Sequence, residues 1–149
     1  MKKELLKLKK KLKKFDIDGY IIPKNDEFFG EYSNTDNLKK ISNFSGSAGI
    51  AIILRNKNYL FLDGRYTIQG EIEAGKNFKI INYEKLFNCK LFYNLKLGID
   101  PKLFTINQMK RFFSKKNKII KIEKNLVDKI KKKKFDNKLF YSLSTNVVG

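Results

Sequence analysis

Histidine and tryptophan are absent from these 149 residues, and cysteine occurs once, as Cys89. Without an imidazole, the usual nucleophile and base pairs built on serine or cysteine cannot be assembled. A lone cysteine cannot close an internal disulfide, which fits a reducing compartment. No apolar run approaches the ~20 residues of a membrane span, so no membrane partner is expected. Met1 to Leu12 is basic like the start of a secretory leader, but no uninterrupted apolar stretch follows it, and a cytoplasmic location is expected. Acidic residues number 15 against 33 basic ones, and their spacing shows no EF-hand-like pattern. Neighbouring carboxylates such as Asp26 and Glu27, or Asp16 and Asp18, need no catalytic explanation. The chain is expected to hold neither a metal ion, nor another cofactor, nor an active site of its own.

Arginine is also scarce. Only Arg55, Arg65 and Arg111 stand among the 33 basic residues, and lysine supplies the rest of a formal charge of +18. Clustered cations suggest a nucleic-acid partner, because they displace counterions from phosphates. Dedicated phosphate and base readers favour the bidentate arginine fork, however, and a genome rich in A and T would spell its charge, asparagine, isoleucine and phenylalanine in this way. Nucleic acid is therefore disfavoured as the primary partner. With 42% hydrophobic residues the chain can bury a sizeable core, and its length is that of one domain.

Leu5, Leu8, Leu12 and Phe15 share a helical stripe, so residues 3–14 read as an amphipathic helix packed on a sheet. Tyr20-Ile-Ile22 reads as a buried strand ended by Pro23, which withholds a ladder donor. Residues 26–32 suggest a turn or short helix, and Asp36 can cap a helix running to about Asn43. Ile50 to Leu54 and Tyr59 to Leu62 flank a polar link of hairpin length and should pair antiparallel. Strands are expected again at 78–82, 96–99 and 118–122, and helices at 83–93, from Thr105 to about Ser114, and at 126–133. This alternation predicts an α/β sandwich around a mixed sheet of about six strands. The domain is expected over 1–138, with 139–149 a segment leading towards a following domain.

Two glycine-punctuated stretches carry the strongest local signals. Phe44-Ser-Gly-Ser-Ala-Gly49 superficially suggests a phosphate cradle, but it lacks the ending of a P-loop and a strand follows it instead of a helix. Gly46 and Gly49 are read as permitting a close-packed entry into the next strand. In Leu62-Asp-Gly-Arg-Tyr66, Asp63 sits where a helix cap belongs, Gly64 opens the turn, and Tyr66 can pack back on the sheet with its hydroxyl bonded. The resulting helix should run to about Ala74, stopped by Gly75. Arg65 lies in the first turn, where the helix dipole disfavours a cation. One reading is an ion pair with Glu31, Asp26 or Glu27. The other is that its planar fork reaches a peptide group or carboxylate across a domain boundary.

Ile21-Ile-Pro-Lys-Asn-Asp-Glu27, Gly30-Glu-Tyr32, the 44–49 stretch and the 62–66 stretch with Gln69 stand in an order that resembles the N-terminal domain of the aminopeptidase P branch of the creatinase/prolidase group. The resemblance covers about Gly19 to Ala74 closely. It implies a ribonuclease-H-like α/β domain, without ribonuclease chemistry, that closes over the active site of a following pita-bread catalytic domain. That domain would bind two divalent metal ions, with manganese expected, and remove the residue before a proline in second position. The resemblance implies that Arg65 contacts the bound peptide and that Glu31, on the same edge, helps to place that arginine or the domain interface. None of the family's metal ligands maps onto this chain. Lys40, Asn43, Phe61-Leu62 and Thr67 depart from the family pattern on the substrate side.

The leading expectation is thus a non-catalytic domain that shapes the entrance to an Xaa-Pro aminopeptidase and positions its peptide. A second is a free-standing interaction module with an exposed apolar patch near Phe28, Phe29 and Phe44. A third is a cationic nucleic-acid binder, with lysines gathered on one face beside stacked aromatics. Pairing with a second copy of the chain is left open.

Overall fold

The computed structural model describes residues 3–30, 36–86, 92–110, 117–128 and 130. Its centre is a six-stranded sheet in the order β4-β3-β2-β1-β5-β6. The strands are β1 (Gly19–Pro23), β2 (Ile50–Leu54), β3 (Asn58–Leu62), β4 (Lys79–Asn82), β5 (Lys96–Ile99) and β6 (Lys118–Lys121). β1, β2 and β3 pair antiparallel, with Ile21 opposite Ile52 and Ala51 opposite Leu60. β4 joins β3 in parallel, and β5 and β6 extend the other side in parallel. The sheet is therefore mixed, as the single hairpin among crossover connections requires.

The inner strands are covered on both faces, which explains why they read as unbroken apolar runs. Tyr20, Ile22, Ala51, Ile53, Leu60 and Leu62 point towards α1 (Lys3–Lys14), α2 (Asn37–Ser42) and α3 (Thr67–Ala74). Ile21, Ile50, Ile52, Tyr59, Phe61, Leu97 and Ile99 point to the other side, where Leu86, Phe92, Leu103 and Phe104 cover them. Alternate residues along each strand thus serve two separate cores. The outer strands are blunted by lysine at exposed ends, Lys79 on β4 and both Lys118 and Lys121 on β6. Such residues discourage edge pairing with other chains.

α1 forms because Leu5, Leu8 and Leu12 recur at helical spacing, and all are fully buried. Phe15, expected on the same stripe, lies past the helix end and is 40% exposed, because Asp16 turns the backbone to a φ of 46°. α2 begins at the Asp36 cap, whose carboxylate accepts from the Lys39 amide at 2.8 Å, and ends at Asn43 in the left-handed region. The helix expected over 64–74 is divided: Gly64–Tyr66 is a 3₁₀ turn and α3 follows it.

The second half departs further from expectation. Where a helix is expected over 83–93, Tyr83–Leu86 forms one 3₁₀ turn, 87–91 lie outside the described residues, and Phe92 is buried edge-on against Tyr59 and Phe61. The helix after Thr105, α4 (Ile106–Met109), is closed by a capping box between Thr105 and Gln108, while 111–116 lie outside the described residues. Of the helix expected over 126–133, residues 126–128 make a turn, with the Ile130 amide donating to the Val127 carbonyl at 2.9 Å, while 129 and 131–133 lie outside the described residues. The buried Asn125 accepts from the Val127 amide and donates to Asp100, so local side-chain bonds compete with helix formation. The 139–149 segment also lies outside the described residues.

Candidate functional site

The two glycine stretches meet at one end of the sheet, at the close of β3 and the start of β2. Asp63 holds the turn: its Oδ1 accepts from the Arg65 amide at 3.0 Å and from Arg65 Nε at 3.0 Å. Those bonds, the backbone one first, hold the Asp63 carboxyl below its usual range. The Arg65 side chain is 76% exposed, with its guanidinium carbon 5.6 Å from the centroid of the Tyr66 ring. A carboxylate therefore meets Arg65, that of the cap of its own turn. Asp26 and Glu27, expected as alternatives, are engaged elsewhere: Asp26 with the Phe28 and Gly30 amides, and Glu27 with Lys102 at 3.7 Å. Glu31 lies outside the described residues.

The Phe44–Gly49 loop is tied to α3 at several points. Ser47 Oγ and the Tyr66 hydroxyl are 2.8 Å apart. Glu73 accepts from the Ser45 amide at 2.7 Å, from Ser45 Oγ at 2.8 Å and from Gln69 Nε2 at 3.1 Å. Partial burial disfavours the charged Glu73, yet these hydrogen bonds outweigh it and keep its carboxyl below the ordinary value. A Cβ on Gly46 would stand 2.3 Å from Phe44 Cζ, and one on Gly49 would stand 2.7 Å from Leu62 Cδ2. Phe44 itself is fully buried, packed edge-on against Tyr66 with centroids 5.9 Å apart. It therefore cannot belong to the exposed patch expected near Phe28 and Phe29. Those two residues are 84% and 47% exposed.

Between this loop, the end of β1 and α4 lies a cleft of about 370 Å³. Pro23 to Asn25 form one side, Ser47 to Ile50 the floor, and Phe29, Tyr83, Phe104 and Gln108 the remaining walls, with Asp63 at the margin. Lys24 ion-pairs with Asp36, so the carboxylate that caps α2 also neutralises the cation beside the cleft. Sequence reasoning missed Lys24, Phe29, Tyr83, Phe104 and Gln108 as companions of the glycine stretches. The Asp26 and Gly30 that bracket two phenylalanines were the available signal, since they mark a tight turn with an aromatic at its tip. Among the described residues, no three histidine, cysteine, aspartate or glutamate side chains are gathered where they could share a metal ion.

The model of the creatinase/prolidase N-terminal domain matches residues 5–131. The chain belongs to that family. This creatinase/prolidase N-terminal domain is 33% identical over 140 residues to the "Probable Xaa-Pro aminopeptidase P" of Coprinopsis cinerea, a match covering 85% of the chain and 22% of that relative. It is likewise 33% identical over 145 residues to "Xaa-Pro aminopeptidase 1" of Dictyostelium discoideum, covering 87% of the chain and 23% of that protein. The chain thus spans less than a quarter of the length of the curated relatives it matches. Among solved structures, the X-prolyl aminopeptidase of Caenorhabditis elegans, described as a cytosolic enzyme with a di-nuclear active site, superposes with a TM-score of 0.71 at 23% identity, over 85% of this chain and 24% of that one. The N-terminal domain of the cytoplasmic peptidase PepQ from Mycobacterium tuberculosis gives a TM-score of 0.65 at 19% identity, over 86% of this chain and 98% of that one. These likenesses establish the fold, with its mixed sheet and flanking helices, as that of the family.

Proposed function

We propose that this domain works as the non-catalytic N-terminal part of a metal-dependent Xaa-Pro aminopeptidase, shaping the entrance to the active site and positioning the peptide. The observation that carries this reading is Arg65. It stands at the first turn after β3, where the dipole gives a cation no local advantage. Its Nε is fixed by Asp63 while three-quarters of the side chain faces solvent, beside the cleft. A largely exposed guanidinium whose Nε is held by Asp63 is suited to a peptide carbonyl or carboxylate. Glu31 is proposed to help place it.

The chemistry would belong to a catalytic domain of the same polypeptide, binding two divalent ions, with manganese expected. The di-nuclear site described for the nematode relative supports the metal count, and its description as cytosolic supports a cytoplasmic setting here. Domain limits of 1–138, with 139–149 leading to the next domain, are part of the same proposal.

In a polypeptide that carries both domains, Arg65→Ala should lower kcat/KM for an Xaa-Pro peptide at least about tenfold, the scale of one charge-assisted hydrogen bond. The melting temperature should hold. Unchanged kinetics would remove Arg65 from the site. The 149-residue chain alone should not release an N-terminal residue from such a peptide in added manganese. Release that a chelator abolishes would overturn the non-catalytic reading.

A free-standing interaction module remains as a second reading, favoured by Phe28 at 84% and Ile106 at 65% exposure. It predicts that Phe28→Ser abolishes capture of a partner protein while Arg65→Ala does not.

A further inference from the structure

The loop from Asp26 to Gly30 folds back on itself around one carboxylate. Asp26 Oδ1 accepts from the Phe28 amide at 3.0 Å and from the Gly30 amide at 2.8 Å, and the Asp26 carbonyl accepts from the Phe29 amide at 3.1 Å. Closing this turn places Phe29 at a φ of 60°, in the left-handed region. That region is uncommon for any residue but glycine, asparagine or aspartate, and for a bulky ring it carries strain. Glycine would meet the backbone requirement at least cost. The phenylalanine is thus not explained by the turn. What it does accomplish is to set an aromatic ring, 47% exposed, on the wall of the cleft.

The cleft is small, and among the described residues its charged side chains are paired. Its volume of about 370 Å³ falls at the lower end of ligand-binding clefts, commonly about 300–1,000 Å³, so it suits one or two residues. Lys24 is paired with Asp36, and Asp63 with Arg65. Asn25 Nδ2 is committed to the Leu103 carbonyl at 3.0 Å, and Gln108 Oε1 to the Thr105 amide at 2.9 Å. A charged side chain entering this space would surrender hydration without meeting an uncommitted counter-charge among the described lining residues. An aliphatic or aromatic one would exchange water for the rings of Phe29, Tyr83 and Phe104.

We propose that this cleft is a subsite for an uncharged, apolar side chain of a bound peptide, and that Phe29 is the residue that selects it. The proposal rests on the peptide-positioning reading, because the cleft adjoins the turn that presents Arg65 and shares Asp63 with it. The occupant is a side chain of that peptide, and the experiment probes the position after its proline. A side chain of a neighbouring protein domain is the alternative that the experiment separates.

The test titrates the isotopically labelled 149-residue chain with Ala-Pro-Xaa-Ala peptides in which Xaa is leucine, phenylalanine, aspartate or lysine, read by amide NMR shifts. The leucine and phenylalanine peptides should bind about tenfold more tightly than the charged ones, the scale of burying one large apolar side chain. Shifts should centre on Ala48, Gly49 and Gln108. Phe29→Gly should keep the melting temperature, since glycine accepts the φ of 60°, and should erase the discrimination. Ala48→Phe, which fills the cleft from its floor, should abolish binding. Equal affinity across the four peptides, weakened by Arg65→Ala, overturns the subsite and leaves the peptide-contact reading standing. Discrimination that survives Arg65→Ala unchanged keeps the subsite and removes Arg65. Absence of shifts with all four at millimolar concentration overturns both and leaves the cleft to a neighbouring domain.

Discussion

Ser47 Oγ and the Tyr66 hydroxyl stand 2.8 Å apart, and this contact joins the two glycine stretches across 19 positions of sequence. One end belongs to the cleft floor, the other to the turn that presents Arg65. Tyr66→Phe deletes the bond and keeps the ring that packs on Phe44. A loss of about 0.5–1.5 kcal/mol is expected for a partly buried hydrogen bond. Ser47→Ala should cost a similar amount, and the double variant little more than either alone. Additive losses in urea unfolding would show that the hydroxyls do not act as a pair.

Leu62 occupies the space that side chains at two glycines would need. A Cβ at Gly70 would fall 2.2 Å from Leu62 Cδ1, and one at Gly49 would fall 2.7 Å from Cδ2. Rotating the leucine away from one glycine drives it towards the other, and it is fully buried. Gly70→Ala in α3 would gain about 1 kcal/mol from helix propensity. Overpacking of about 1–3 kcal/mol opposes that gain. A net loss is expected, disappearing when Leu62→Ala is made as well. Stabilisation by Gly70→Ala alone would mean that the leucine has room to move.

How much of this was legible beforehand follows from the range of the interactions. The spacing of Leu5, Leu8 and Leu12, the Asp36 cap and the hairpin from Ile50 to Leu62 are local patterns, and each was readable within a few residues of chain. Asp63 was legible as a cap for the same reason. The cleft was not, because it joins β1, the 47–50 loop, Tyr83 and α4, which only the parallel addition of β4 and β5 brings together. Asp63 was not foreseen as a partner of Arg65, because a cap carboxylate two residues away can turn back on the side chain as well as the amide, while Glu31 lies outside the described residues. In the described parts of the helices expected at 83–93 and 126–133 there are short turns, at 83–86 and 126–128, beside Phe92 and Asn125, whose burial depends on residues far along the chain.

Tyr20 is fully buried on β1, and the Leu126 amide donates to its hydroxyl at 3.4 Å. Burial pushes this hydroxyl well above its ordinary value of 10.0. Because the raised group stays protonated in the fold, the unfolded chain alone releases its proton just above pH 10, and stability declines from there upward. The slope is at most about 1.4 kcal/mol per pH unit for one group. Tyr20→Phe should cost little at neutral pH, given the long hydrogen bond, and should flatten the alkaline decline. A parallel decline in both proteins between pH 10 and 11.5 would assign it to other groups.

At the other end of the sheet from the cleft, Asp16 closes a surface clasp. Its Oδ2 accepts from Lys96 Nζ at 2.6 Å, and its Oδ1 lies 3.7 Å from Arg55, which also approaches Asp18 at 3.6 Å. The Lys96 hydrogen bond, and then the Lys96 charge, hold the Asp16 carboxyl below 3.8, while the same contact raises Lys96 above 10.5. The signs follow from which form the fold favours. The carboxylate contribution is present above pH 3.8 and lost as pH falls through the lower folded value, and the lysine contribution is present below pH 10.5 and lost above it. Asp16→Asn retains a residue that tolerates the φ of 46° and removes the charge. The clasp is exposed, with Asp16 at 80%, so the difference between the proteins should be modest and should shrink in 1 M salt. Urea midpoints measured from pH 2 to 5 should coincide at the acid end and separate as pH rises. A constant gap across that range would mean that the Asp16 contribution is geometric instead of ionic.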